Sequence, residues 1–210
     1  MFSLNELQLE SNSKIKLNFK GGDLSSDSGL LLIKEFAHKI GLNKLIKENF
    51  KTNDTAKDRL HKDDENLYQS IYQILAGYFN DDDADELTNE PIFKRILEKS
   101  SLASQPTLSR FFNRMDEDTL KQFNEICKKL RALIYKIESP EMVLLDLDST
   151  LLNTYGKQEG EGFNFHYSDN GYHPLLCYDG LNGDLLKAEL RDGTVYTSNG
   201  VVEFILNYSR

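Results

Sequence analysis

Two aspartates one residue apart close an apolar run in "MVLLDLDSTLLNTYGKQEG", residues Met142 to Gly160, and Ser149 and Thr150 follow at once. On a β-strand, residues two apart point to the same side, so Asp146 and Asp148 share a face at the end of that run. Carboxylates held close repel, and burial raises the cost of ionising both. A divalent cation relieves the repulsion. Mg²⁺ prefers carboxylate oxygen, keeps several waters and suits phosphate chemistry. The competing reading is local: Asp, Ser and Thr also bond the backbone of a following turn. The apolar strand directly before the pair favours catalysis. Ser149 and Thr150 have no evident base partner, which suits them to orienting groups rather than to nucleophilic attack.

The elements around this pair change character near Ser139-Pro140, from helical to strand periodicity. Upstream, "SSDSGLLLIKEFAHKIG" predicts a helix capped at Ser26, Asp27 or Ser28 and stopped at Gly41. "LNKLIKENF" predicts a short second helix, and "TNDTAKDRLHKDDEN" a loop. In "ENLYQSIYQILAGYF", Leu67, Ile71, Ile74, Leu75 and Phe79 fall on one helical face. Pro91 suits the first turn of a short helix. A further helix starts near Pro106 and Thr107. The long helix after it has a buried stripe at Leu120, Phe123, Ile126, Leu130, Leu133 and Ile134. A short helix, a turn and a helix carrying bases fit either a helix-turn-helix reader or an ordinary bundle pair.

Downstream, "MVLLDLD" predicts a strand covered on both faces. "PLLCYDGLNGDLLKAELR" predicts a hairpin with a type I′ turn at Asn182-Gly183. "TSNGVVEFILNYSR" predicts a helix capped by Ser198 or Asn199, with Val202, Phe204, Ile205 and Tyr208 at helical spacing. The segment 154–173 between strand and hairpin reads as a long Gly- and aromatic-containing connection, able to approach a ligand or to remain a surface loop. The fold class is therefore α+β, divided into residues 1–138 and 139–210.

Other polar groups are less pointed. "NDDDADEL" lacks the Gly and terminal Glu of a calcium loop and reads as a solvated turn with capping carboxylates. His166 and His173 have no partner at ligand spacing. Arg191, after a predicted strand, suits a turn or a phosphate contact. Cys127 and Cys177 are isolated, which argues against zinc or a disulfide framework.

The 210 residues, 39% hydrophobic and 28% charged, describe a soluble globular chain without a bilayer-spanning run or a signal-peptide pattern. A cytoplasmic location follows. The net charge of −9 excludes an all-round positive surface. Charge is uneven, however: between Thr107 and Ile137 bases outnumber acids. Arg110, Arg114, Lys128, Lys129 and Arg131 are the candidate contacts to DNA phosphates.

Two families share the local acidic pattern. "LLDLDSTLL" resembles the first motif of haloacid-dehalogenase-type phosphatases, which implies Asp146 as nucleophile and Asp148 as acid/base. That motif usually opens its domain, whereas here more than half the chain precedes it. The wider resemblance, carried by "LSSDSGLLLIKEF", "LASQPTLSRFFN", "LLDLDSTLLNTYGKQEG", "YHPLLCYDG" and "LLKAELRDGT" in that order, is to group-one DDE transposases of bacterial insertion sequences.

This second resemblance implies a helical DNA-binding and dimerising region, then the first part of a ribonuclease H-like domain, an antiparallel three-strand meander followed by a helix. It implies Asp148 as the first metal-binding acid and Asp146 as second choice or supporting ligand. It also implies a two-ion Mg²⁺ or Mn²⁺ site in the complete enzyme. Terminal-repeat DNA, a second copy or a full-length transposase are the implied partners, at the nucleoid. Lys157 and Gln158 match a family block without a derivable role. The family's second aspartate and its glutamate would fall beyond Arg210, so a truncated transposase, inactive alone, is implied.

Overall fold

Gly41 turns the chain between its first two helices with φ of +71°, a left-handed conformation that costs glycine little. The helices it separates are α1 (Leu30–Lys39) and α2 (Leu42–Asn49). The computed structural model describes residues 6–18, 20, 27–56 and 58–206. Ser26 and Tyr208, anticipated as a cap and as part of an apolar face, lie outside them. The chain forms two compact units, Met1–Ile137 and Glu138–Arg210. Helices dominate the first and antiparallel strands the second, an α+β arrangement.

The helical unit opens with a hairpin that periodicity did not reveal, β1 (Glu6–Gln8) paired antiparallel with β2 (Lys16–Asn18). After α1 and α2 come α3 (Asp63–Ala76), α4 (Asp83–Leu87), α5 (Pro91–Leu97), α6 (Gln105–Phe112) and α7 (Glu117–Ile137). α3 starts inside the segment read as a loop, because Asp63, Asp64 and Glu65 occupy its first turn, where the helix dipole favours acids. Glu65 also accepts the Lys62 N–H at 2.9 Å. α4 likewise converts part of the acidic turn into helix.

The buried face of α3 differs from the apolar stripe. Leu67 is buried, but Ile74, Leu75 and Phe79 are 58%, 52% and 75% exposed. Asn66, Gln69, Ser70 and Gln73 are buried with Tyr68 and Tyr72 instead. Gln69 explains the choice. Its amide donates to the Ala103 carbonyl and accepts the Ala103 N–H, both at 2.8 Å, satisfying backbone that water cannot reach. α7 departs in the same way: Ile126 is buried and Phe123 and Leu130 pack on the core, while Leu120 and Ile134 are exposed. Phe50 joins α6 to α7, its ring 6.0 Å from Phe111 and 5.0 Å from Phe123.

The strand unit holds two three-stranded antiparallel sheets. One has the order β3 (Leu145–Ser149), β7 (Leu175–Asp179), β8 (Leu185–Glu189), the anticipated meander, followed by α8 (Val201–Leu206). The other places β6 (Asp169–Tyr172) between β4 (Leu152–Asn153) and β5 (Gly162–Asn164). The segment 154–173, read as a connection, thus contains two strands of a sheet, β5 and β6. Its strands lack the β-branched residues that announce strands. Glycines serve as points of close approach instead: a Cβ on Gly171 would lie 2.3 Å from the Leu152 oxygen, and one on Gly193 2.0 Å from the Gly171 oxygen.

Three further expectations change. β3 is not covered on both faces: it begins at Leu145, Met142 to Leu145 are exposed, and among the described residues it is an edge strand paired only with β7. The β7–β8 connection is five residues, 180–184, with Gly183 alone at positive φ (+81°). A type I′ turn needs Asn182 there as well. Gly200, at φ +75°, stands directly before α8 in place of a Ser198 or Asn199 cap. Phe204 is buried with Leu175, Cys177 and Leu186, whereas Val202 is exposed.

Candidate active site

Alternation along β3 sets the site. Leu147 packs on the small core beneath α8, so Asp146 and Asp148 face the opposite side of the sheet. Both are exposed. Their surroundings nevertheless differ. Asp148 lines a cleft of about 590 Å³ with Ser149, Asn164, His173 and four aromatic side chains. Asp146 does not line it and lies near Gly180, beside the β7–β8 turn.

The strand end carrying Asp148 is held from several directions. The Asp148 carboxylate accepts the Ser149 N–H at 2.8 Å. Ser149 is buried, its hydroxyl 3.0 Å from that of Thr197, and its carbonyl accepts the Tyr167 hydroxyl at 3.0 Å. At the other end of β3, Asp179 is 1% exposed and accepts the Leu144 and Leu181 N–H groups at 3.3 and 3.1 Å. Gly180 returns a bond to the Leu144 carbonyl at 2.7 Å. Asp179 therefore fixes where β3 begins, a role missed in the sequence because "YDG" reads simply as a turn.

His173 and Arg191 make a second brace. His173 is 2% exposed; its Nδ1 meets the Val195 carbonyl at 2.7 Å, and its Nε2 has no protein partner. The Arg191 guanidinium donates to the carbonyls of His173, Thr197 and Asn199 at 3.0, 3.3 and 2.8 Å. Burial pushes its pKa down, against the opposing charge of Glu189. This arginine secures backbone. His166 is exposed, its ring edge-on to Tyr167.

The candidate DNA contacts scatter over the helical unit. Arg110 is exposed and reaches the Thr107 hydroxyl at 3.3 Å. Arg114 turns inward: it pairs with Asp63 at 3.0 Å and Asp54 at 3.6 Å, and bonds Thr52 Oγ1 at 3.2 Å. Lys128 is exposed on α7; Lys129 bonds the Asn49 side chain, and Arg131 is half-buried. The five bases are therefore not equivalent.

A family model described as transposase DDE domain group 1 matches residues 7–208. The chain belongs to that family. No curated protein and no solved structure matches it. Members of the DDE group use divalent metal ions. Among the described residues no three His, Cys, Asp or Glu side chains gather as a metal-binding group. What the chain supplies is a pair of exposed carboxylates on one face of β3, of which one opens on a cleft. That donor set fits a Mg²⁺-like ion held by one or two carboxylates, water and substrate phosphate, and does not amount to a two-ion cage. Among the described residues no helix is long and apolar enough to cross a membrane.

Proposed function

We propose that the strand unit belongs to a ribonuclease H-like catalytic domain, and that Asp148 is its first metal-binding carboxylate with Asp146 in support. The observation that carries this reading is the place of Asp148, at the end of a braced strand, open to a cleft, in a chain whose family joins DNA ends. Asp148, with Asp146 in support, would hold a Mg²⁺ or Mn²⁺ ion, which would supply activation of water or a 3′-hydroxyl and charge stabilisation of the leaving oxygen of a phosphodiester. The protein's part is to hold the Asp148 carboxylate by the Ser149 N–H, and to hold Ser149 by Tyr167 and Thr197.

The helical unit is proposed to bind the terminal repeats of its element at the nucleoid, as a homodimer or with another transposase chain. Arg110 and Lys128 present the exposed charge; Arg114, Lys129 and Arg131 contribute through the surface they support. Among the described residues no further acids gather with Asp148 as a metal-binding group, and the chain by itself is expected to bind without cutting.

Titration of terminal-repeat duplex with the purified chain, across salt and with Mn²⁺, tests this. Binding should weaken steeply with salt, by a log–log slope of about −0.9 per phosphate contact. Mn²⁺ should tighten it for the native chain but not for Asp148→Asn. Salt-insensitive or absent binding would refute the reading, and sequence-specific nicking lost in Asp148→Ala would refute the inactivity. Binding that is indifferent to Asp148 would select the alternative of a non-catalytic DNA-binding remnant. A phosphatase using Asp146 has less behind it, since β3 has an antiparallel neighbour and Asp146 stands outside the cleft.

A further inference from the structure

The apolar stripe of α3 runs out onto the surface. Ile74 is 58% exposed, and Phe79, just past the helix, 75%. With Phe112, 42% exposed at the end of α6, they line a pit of about 90 Å³ whose wall includes buried Leu108. That is room for one aliphatic side chain. Large apolar groups gathered on a surface mark a contact site, whereas single ones need no explanation.

Phe79 is held outward by its neighbours. Gly77 ends α3 at φ +89°, and the Tyr78 N–H returns to the Gln73 carbonyl at 2.9 Å. The Tyr78 ring packs on the core, 6.0 Å from Phe93, and its hydroxyl donates to Asp27 at 3.2 Å. The Asn80 N–H bonds the Asp83 carboxylate at 3.0 Å. With the residues on both sides fixed, the ring between them is presented rather than loose.

Charge narrows the occupant. No lysine or arginine lines the pit, and Asp81 does. Asp83 and Asp85 accept the N–H groups of Asn80 and Gln105, but Asp81 and Asp82 are exposed and, among the described residues, pair with no base. The partner should therefore offer an apolar side chain with bases beside it. The outer face of α7 does so. Leu120 is 63% exposed, and Asn124 and Lys128 follow it at four-residue steps, both exposed. Lys121 is paired with Asp118, whereas Lys128 pairs with no acid among the described residues. Only residues 113–116 separate α6 from α7, so pit and outer face belong to adjoining helices of one unit. A two-fold axis then sets each against the other on a second copy.

We propose that two copies of this chain dock reciprocally, Leu120 of each entering the pit between Ile74, Phe79 and Phe112 of the other, with Lys128 against Asp81 and Asp82. The contact gives a surface to the second copy invoked above. It needs neither DNA nor Asp148, so it stands or falls apart from that reading.

Sedimentation equilibrium of the full chain, without DNA, is the test. The native chain should pass from monomer to dimer as concentration rises and go no further, since a two-fold contact is closed. Phe79→Asp and Leu120→Asp should each leave it monomeric; both side chains are exposed, and unchanged circular dichroism confirms the fold. Asp82→Lys and Lys128→Glu should each weaken the dimer by about tenfold. An equimolar mixture of those two variants should dimerise as the native chain does, because every base then faces an acid again. A monomer at every concentration, a dimer indifferent to Phe79→Asp or Leu120→Asp, growth beyond the dimer, or a mixture no stronger than its components would overturn the proposal.

Discussion

The two units of this chain are held together by different means. In the helical unit fifteen buried apolar residues, from Leu9 to Ile126, form one continuous cluster. In the strand unit the largest such cluster contains four, Leu175, Cys177, Leu186 and Phe204. What the strand unit lacks in apolar burial it makes up with polar side chains aimed at backbone: Asp179 at Leu144, Arg191 at three carbonyls, Asn164 at Gly193. The lesson is that the first unit is built to be stable and the second to hold a strand end and a cleft in register. Substitutions should therefore separate stability from positioning.

The largest effect belongs to the helical core. Phe111 is fully buried against Phe50, and Phe111→Ala should cost about 3–5 kcal/mol, read as an earlier midpoint of chemical denaturation monitored by helicity. A cost below about 1 kcal/mol would dissolve the contrast, since the cluster would then not be the source of stability.

Asp179 tests the other side. Asp179→Ala strands the Leu144 and Leu181 N–H groups and should cost about 2 kcal/mol, a smaller loss than in the core. Its sharper signature is Mn²⁺-dependent DNA binding, which should fall although residue 179 is not among those lining the cleft. Gly171→Ala is comparable in size, about 1–3 kcal/mol, because the new Cβ would meet the Leu152 carbonyl at 2.3 Å. Both variants should leave the helical signal unchanged.

Acid discriminates on a smaller scale. Arg59 holds the Asp54 carboxyl well below the usual range. Burial pushes Glu35 and Glu65 upward, but N–H groups of Ser11 and Glu10 on the first, and Lys99 on the second, outweigh it, so both end lowered. A depressed native pKa means that the unfolded chain takes up protons first as pH falls. These groups thus stabilise fully above the ordinary carboxylate range, and that contribution is lost as pH drops below about 4. All three are in the helical unit, and denaturation midpoints should decline there between about pH 5 and pH 2. Added salt should blunt the decline, since the Arg59 side of its pair with Asp54 is open to solvent and its charge is screened.

The same division explains what could be read from the residues. α1, α2, α5 and the β7–β8 meander announce themselves by apolar spacing and by Gly and Pro at their ends, and the place of Asp148 on a strand follows from alternation. The buried face of α3 was not legible, because Gln69 is drawn in by the Ala103 backbone and not by hydrophobicity. The β4-β6-β5 sheet was hidden for a related reason: Gly162, Gly171 and Gly193 look like loop punctuation, yet serve as sites where strands touch. Arg114 counted as a DNA contact on spacing alone, whereas Asp54 and Asp63 lie far from it in sequence. Local pattern carries elements; the long-range polar clamps that brace the cleft have no local pattern to carry them.

The smallest expected change is the most discriminating. Phe165→Ala removes as large a ring as Phe111→Ala, but from a position 88% exposed rather than fully buried. Area lost to solvent decides the energetic outcome, and here almost none is lost, so stability should shift by less than about 0.5 kcal/mol. A measurable destabilisation would mean that the ring packs on the protein and that the turn 164–168 serves structure alone. An unchanged midpoint leaves Phe165 an apolar surface kept uncovered beside Asp148, for which packing gives no reason and contact with a ligand does.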